Sequence, residues 1–162
     1  MAKTPIKAVV ISVSDTRHED NDVSGVTLVG LLLAMKADVV EKIIVSDDID
    51  EIKETLLGLT EREDVNLILT SGGTGFSHRD NTPEATLAVI EREAPGLAEA
   101  MRRESHKTTP KAMLSRAICG IRGNTLIVNL PGSPKAVLEC FEVVKPVLQH
   151  AVDLLAGNTK HR

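Results

Sequence analysis

The sequence predicts an α/β protein, a three-layer α/β/α sandwich on a mostly parallel sheet with one antiparallel edge hairpin. Three observations support this. Apolar, β-rich runs alternate with helical patterns along the chain, the order that builds parallel strands joined by crossover helices. The first run, residues 6–13 (IKAVVISV), is apolar on both faces, as a central strand covered on two sides must be. Near the other end, residues 115–121 and 125–130 flank Arg122-Gly123-Asn124, a short Gly-containing turn between β-rich runs.

Taken in order, the strand at 6–13 ends in the polar loop 14–25, which holds four acids and places Ser24 as N-cap of a helix at 25–37. That helix is apolar nearly all round (Val26, Leu28, Val29, Leu31, Leu32, Leu33) and must be buried on more than one side, with a subunit interface as one way to cover the surplus. A second strand at 39–45 leads to Ser46-Asp47-Asp48. Asp48 and Glu51 have capping-box spacing for a helix at 49–61, which leaves Asp47 unexplained. The apolar run 65–69 reads as a buried strand and passes into Thr70-Ser71-Gly72-Gly73-Thr74-Gly75, then Arg79-Asp80. Thr82 as N-cap and Pro83 at the first helical position start a helix at 83–92, and Pro95-Gly96 separates it from another at 97–106. After a short turn at Thr109-Pro110 comes the hairpin. Ser133 then caps a helix at 134–144, and Pro146 breaks or kinks the chain before a last helix at 147–155. Gly157 closes that helix, and a frayed tail follows from Asn158.

With 162 residues the chain is expected to form one domain, 1–162. Two Phe and no Trp or Tyr leave a core of Val, Ile, Leu and Ala, and no aromatic platform for single-stranded nucleic acid. A net charge of −4 provides no general pull on polyanions. Cys119 and Cys140 read as buried small hydrophobes in a reducing compartment, and the five histidines show no zinc-ligand spacing. With no signal-peptide pattern and no run long enough to span a bilayer, a soluble, cytoplasmic protein is expected, with no membrane and no nucleic-acid partner.

Right-handed crossovers bring the carboxyl ends of parallel strands to one edge, where ligands of such sheets bind. Four loops of unusual content share that edge: Ser14-Asp15 with Asp22 to Gly25; Asp47; Ser71 to Gly75 with Arg79-Asp80; and Pro131-Gly132-Ser133-Pro134-Lys135. Glycines admit positive φ and turn N–H groups toward an anion. Lys135 breaks the helix-dipole preference in a first turn, which an anionic ligand would offset. Aspartates beside a phosphate need a bridging cation, and Mg²⁺ is held by one or two carboxylates plus phosphate oxygens. The residues therefore point to Mg²⁺-dependent handling of a nucleotide or phosphorylated metabolite. The glycines lack the G-x-G-x-x-G spacing and position of a dinucleotide fold and the Gly-Lys-Ser/Thr of a P-loop.

Thr70-Ser71-Gly72-Gly73-Thr74-Gly75 with Arg79-Asp80-Asn81-Thr82-Pro83-Glu84-Ala85 resembles the signature of the molybdenum-cofactor biosynthesis family, which includes bacterial MogA and MoaB and the G domains of gephyrin. Ser14-Asp15, Asp22-Val23-Ser24-Gly25, Ser115-Arg116 and Leu130 to Lys135 match the same pattern, so the resemblance covers essentially the whole chain. It implies a molybdopterin adenylyltransferase that converts Mg-ATP and molybdopterin to adenylyl-molybdopterin and pyrophosphate, in a homotrimer or, for some members, a hexamer. By position, Asp47 and Asp80 are the implied catalytic, metal-organising pair. The implied binding residues are Ser14, Asp15, Asp22, Ser24, Gly25, Ser71, Gly72, Gly73, Thr74, Gly75, Arg79, Thr82, Ser115, Arg116, Pro131, Gly132, Ser133, Pro134 and Lys135. The alternative is a non-catalytic, pterin-binding relative of the MoaB type.

Overall fold

The computed structural model describes residues 2–159. One six-stranded sheet, in the order β2-β1-β3-β6-β5-β4, comprises β1 (Lys7–Val13), β2 (Asp38–Val45), β3 (Leu67–Ser71), β4 (Arg92–Glu93), β5 (Cys119–Arg122) and β6 (Thr125–Leu130). The four strands β2, β1, β3 and β6 are parallel, β5 returns antiparallel to β6, and β4 pairs antiparallel with β5 at the edge. Five helices complete the layers: α1 (Val23–Ala34), α2 (Ile49–Thr60), α3 (Thr82–Val89), α4 (Pro95–His106) and α5 (Pro134–Leu155). The expected three-layer α/β/α fold is therefore present.

Alternation along β1 shows why both faces are covered. Ala8 and Val10 pack with Leu28 and Leu32 of α1 and Phe141 and Leu148 of α5, whereas Val9 and Ile11 pack with Ile52 and Leu56 of α2 and Val89 of α3. Cys119 and Cys140 are buried free thiols, and burial pushes the Cys119 thiol up to about 12. The surplus apolar surface of α1 is also real: Leu28 and Leu32 face the sheet while Val23, Val26 and Leu33 stay more than half exposed. Among the described residues, no helix is long and apolar enough to cross a membrane.

Several boundaries differ from the sequence expectations, most of them for a tertiary reason. The helix expected at 83–92 stops at Val89, because the amides of Glu91 and Ala94 donate to Ile121 and Cys119 carbonyls and draw Arg92–Glu93 into the sheet edge. Pro146 does not divide the last helix. The buried stripe Val137, Phe141, Val144, Leu148 and Val152 runs through it, and the packing of that stripe outweighs one lost hydrogen bond. Asp22, not Ser24, caps α1, its carboxylate accepting from the Gly25 amide at 3.1 Å. Asn158 is tied down rather than frayed, its side chain donating to Thr4 Oγ1 at 2.9 Å; residues 160–162 of the expected tail lie outside the described residues.

Phe141 is the largest side chain with no exposure, so Phe141→Ala is expected to cost about 3–5 kcal/mol, read as a lower urea midpoint with an unchanged slope.

Candidate active site

The order β2-β1-β3 reverses direction between β1 and β3, which opens a crevice at their carboxyl ends. All four predicted loops meet there.

The glycine loop follows β3. Gly72 and Gly73 have φ of +105° and +68°, and the backbone passes so close to its neighbours that a Cβ at Gly72 would lie 2.4 Å from the Val13 carbonyl oxygen. The Gly72 amide donates to the Leu130 carbonyl, extending the β3–β6 ladder by one bond. Thr82 is the first residue of α3 rather than its cap. Its hydroxyl donates to the Gly72 carbonyl at 2.9 Å and its amide to that of Gly73, so the helix start is fastened to the loop. No described group accepts from the N–H groups of Gly73, Thr74, Gly75 or Phe76. Four successive backbone donors in this loop are therefore not used within the described residues.

Carboxylates line the same crevice. The Asp15 amide donates to Asp47 Oδ2 at 2.8 Å, and the Asp47 amide donates back to Asp15 Oδ1 at 3.0 Å. Arg79 forks onto Asp15, Nε to Oδ2 at 2.9 Å and Nη2 to Oδ1 at 2.8 Å. That fork, ahead of the Asp47 contact, holds the Asp15 carboxyl at about 2. Asp47 moves the other way: burial raises it, and the nearby charges of Asp15 and Asp80 add to the rise against the Asp15 amide and Arg79. Asp80 accepts from the Ser77 amide at 2.9 Å through Oδ2. Two half-buried carboxylates that repel each other beside the glycine loop are the hard oxygen donors that Mg²⁺ takes alongside phosphate, so the residues fit that ion.

Other predicted residues sit at the crevice with their polar atoms already used. Ser24 Oγ donates to the Gly132 carbonyl at 2.7 Å, Ser71 Oγ to that of Pro131 at 2.9 Å, and Ser133 Oγ accepts from the Ala136 amide at the start of α5. Asp22 is buried beneath the loops and holds the architecture. It accepts from Ser12 Oγ at 2.6 Å and Lys42 Nζ at 3.0 Å, and leaves no space for a Cβ at Gly25. Lys135 is exposed, with Glu139 one helical turn on at 4.0 Å. Ser14 Oγ accepts from the amides of Thr16 and Arg17 and shapes the first loop.

Sequence reasoning missed Arg17, which donates to the Gly132 carbonyl and to Ser71 Oγ and so joins three loops. It also missed Asn81, whose amide group donates to the Asp47 carbonyl at 2.9 Å. Arg17 has no pattern by itself, whereas Asn81 stands within the quoted signature; for both, only the meeting of loops gives the partner. Beside Ser115 and Pro131 lies a largely apolar cavity of about 200 Å³, also lined by Met101, Arg102, Ala117 and Glu139. A larger hollow of about 450 Å³, with Lys7, Arg62 and Asn124, is at the opposite, amino edge of the parallel strands, away from these loops.

The fold and the four loops define an α/β protein with a glycine-rich, carboxylate-lined crevice at a topological switch point. Residues 9–150 match the family described as a probable molybdopterin binding domain, and the chain belongs to it. The molybdenum cofactor synthesis protein cinnamon of Drosophila melanogaster is 47% identical over 152 residues, which is 92% of this chain and 25% of that protein. A molybdopterin adenylyltransferase of Helicobacter pylori is 46% identical over 115 residues, 71% of this chain and 65% of that enzyme. The matches thus span less than two thirds of the length of these curated relatives. The crystal structure of the molybdopterin biosynthesis enzyme MoaB from Thermus thermophilus superposes with a TM-score of 0.87 at 44% identity, covering 94% of this chain and 97% of that one.

The shifted carboxyls give a prediction about stability. Burial makes ionised Asp47 costlier in the folded chain than in the unfolded one, so it lowers stability once the pH exceeds the ordinary value of 3.8. Asp47→Asn is therefore expected to raise Tm at pH 7 and to lose that advantage below pH 3.8. Asp15 has the opposite sign: its pair with Arg79 stabilises above 3.8 and is lost as the pH falls through about 2. Thermal scans of both Asn variants across pH check the two signs.

Proposed function

We propose that this chain, as one domain over 1–162, is a molybdopterin adenylyltransferase, joining the adenylyl group of ATP to molybdopterin and releasing pyrophosphate. The observation that carries this reading is the loop Gly73–Phe76, whose four successive amides have no described acceptor, in the chain segment that leads to Asp80. The relative from H. pylori bears that activity in its name.

In the reaction an oxygen of the pterin's terminal phosphate attacks the α-phosphorus of ATP. The bond from that phosphorus to the β-bridging oxygen breaks, and pyrophosphate leaves with the electron pair. A phosphate nucleophile is already ionised, so no general base is needed, and catalysis is positioning and charge neutralisation. The loop amides hold phosphate oxygens, helped by the exposed Lys135 and by Arg79, whose Nη1 has no described partner. Asp47 and Asp80 would hold Mg²⁺, which supplies positive charge at the phosphate chain when bound. The apolar cavity beside Ser115 and Pro131 suits the flat pterin ring, with Arg102 and Glu139 for its polar edges. The exposed Val23, Val26 and Leu33 of α1 suit self-association, which we assign to a homotrimer or hexamer working in the cytoplasm.

The test is adenylyl transfer by purified protein with molybdopterin and Mg-ATP, following adenylylated pterin and pyrophosphate by chromatography. Product is expected to require Mg²⁺ and to fall at least about a hundredfold in Asp80→Asn, the scale of losing a group that organises transition-state charge. Pterin binding without product would instead establish the non-catalytic, MoaB-type reading.

A further inference from the structure

Arg116 stands apart from the other charged residues of the crevice. It lies 36 residues beyond Asp80, after a turn of 3-10 helix at Pro110–Leu114, yet it is bonded to Thr74, Gly75 and Asp80. Its amide donates to the Thr74 carbonyl at 2.8 Å. Its guanidinium donates from Nε to the Gly75 carbonyl at 2.7 Å, and from Nη2 to the Asp80 carbonyl at 2.7 Å. Nη1 pairs with the carboxylate of Glu84, in the first turn of α3, and this partner holds the Glu84 carboxyl below its usual range.

Gly75 and Asp80 are the two ends of one loop, so a single planar group pins both. Within that staple the Asp80 carboxylate is stacked against Gly75. Its Oδ2 takes the Ser77 amide, and a Cβ at Gly75 would lie 2.9 Å from the same oxygen. Each of the three guanidinium nitrogens already has a partner inside the protein, so three of its five N–H donors are committed to the loop and to Glu84. Arg79 differs, with Nη1 unpaired among the described residues.

We propose that Arg116 is the positioning residue of Asp80, stapling the loop 75–80 so that its carboxylate and the loop amides keep one geometry, and that it does not contact the phosphate chain. The role assigned to Asp80 rests on the adenylyl-transfer reading; the staple itself does not. Glu84 orients Arg116 in turn. The geometry depends on the fork rather than on the charge. A lysine keeps the charge but cannot reach the Gly75 and Asp80 carbonyls and Glu84 at once.

The test compares Arg116→Lys and the milder Glu84→Gln with the unaltered protein, using three readouts: Mn²⁺ affinity by paramagnetic resonance with a non-hydrolysable ATP analogue, the separation of kcat from KM for ATP, and amide hydrogen exchange in residues 76–80. Arg116→Lys is expected to weaken Mn²⁺ about tenfold, the usual effect of removing a group that orients a metal ligand, and to lower kcat similarly with KM for ATP within about twofold. Exchange in 76–80 is expected to quicken, and Glu84→Gln to shift all three readouts less in the same direction. A rise of about tenfold in KM with kcat and Mn²⁺ affinity kept would make Arg116 a phosphate ligand and overturn the proposal. Unchanged exchange in 76–80 would overturn it too, whatever the melting temperature does. If faster exchange in Arg116→Lys accompanies an unaltered protein that forms no adenylylated pterin, the staple stands and the reading of the function falls.

Discussion

The arrangement of this molecule depends on the burial of β3 between its two neighbours. All five residues of Leu67–Ser71 are buried, and the strand forms parallel ladders with β1 on one side and β6 on the other. A strand enclosed in this way cannot shift its register without moving both neighbours and both helical layers. Its end is therefore a fixed point, and the glycine loop that leads to Asp80 is hung from it. Gly72 continues the ladder by one bond to Leu130, turns with positive φ against Val13, and its own carbonyl accepts from the Thr82 hydroxyl, which ties α3 back to the loop. A side chain at Gly72 would separate β3 from β1 at the place where the crevice opens.

Charge is handled differently above and below the loops. Beneath them Asp22 is buried, but Ser12, Lys42 and the Gly25 amide satisfy it. Burial raises its carboxyl, yet these contacts together bring it below the usual range. That cluster fixes the first loop and the start of α1, and it is structural. At the crevice Asp47 is left partly unsatisfied, raised by burial and by two neighbouring carboxylates, while Asp15 is fully occupied by Arg79 and the Asp47 amide. A fold can tolerate one such ill-matched carboxylate where a ligand will later match it, at some loss of stability in its absence. The contrast between Asp22 and Asp47, two aspartates in adjoining loops, is between an acid satisfied inside the fold and one left partly unmatched at the crevice.

Much of the fold and of the site was legible because the signals are local. The apolar runs, the caps at Asp48 and Ser133, the Gly-containing turn at 122–124 and the glycine loop each follow from a few neighbouring residues, and each appears where it was expected. Ending α3 at Val89 and carrying α5 through Pro146 depend on packing against distant segments, which a local pattern does not contain, whereas the α1 cap is a local choice between Asp22 and Ser24 that the bond from the Gly25 amide decides.

The same division holds for function. By itself the sequence determined the parallel sheet, the four loops at one edge, and the presence of Asp47, Asp80 and the glycines among them, because strand polarity and backbone permissiveness are written residue by residue. Only the tertiary structure decided which polar groups are spent and which are free. Asp22, Ser24, Ser71 and Arg116, all marked as binding residues by their motifs, hold other parts of the protein, whereas the amides of Gly73–Phe76 have no described acceptor. Whether a hydrogen bond is taken or available depends on what lies within about 3 Å across the fold, and distance in sequence does not encode it.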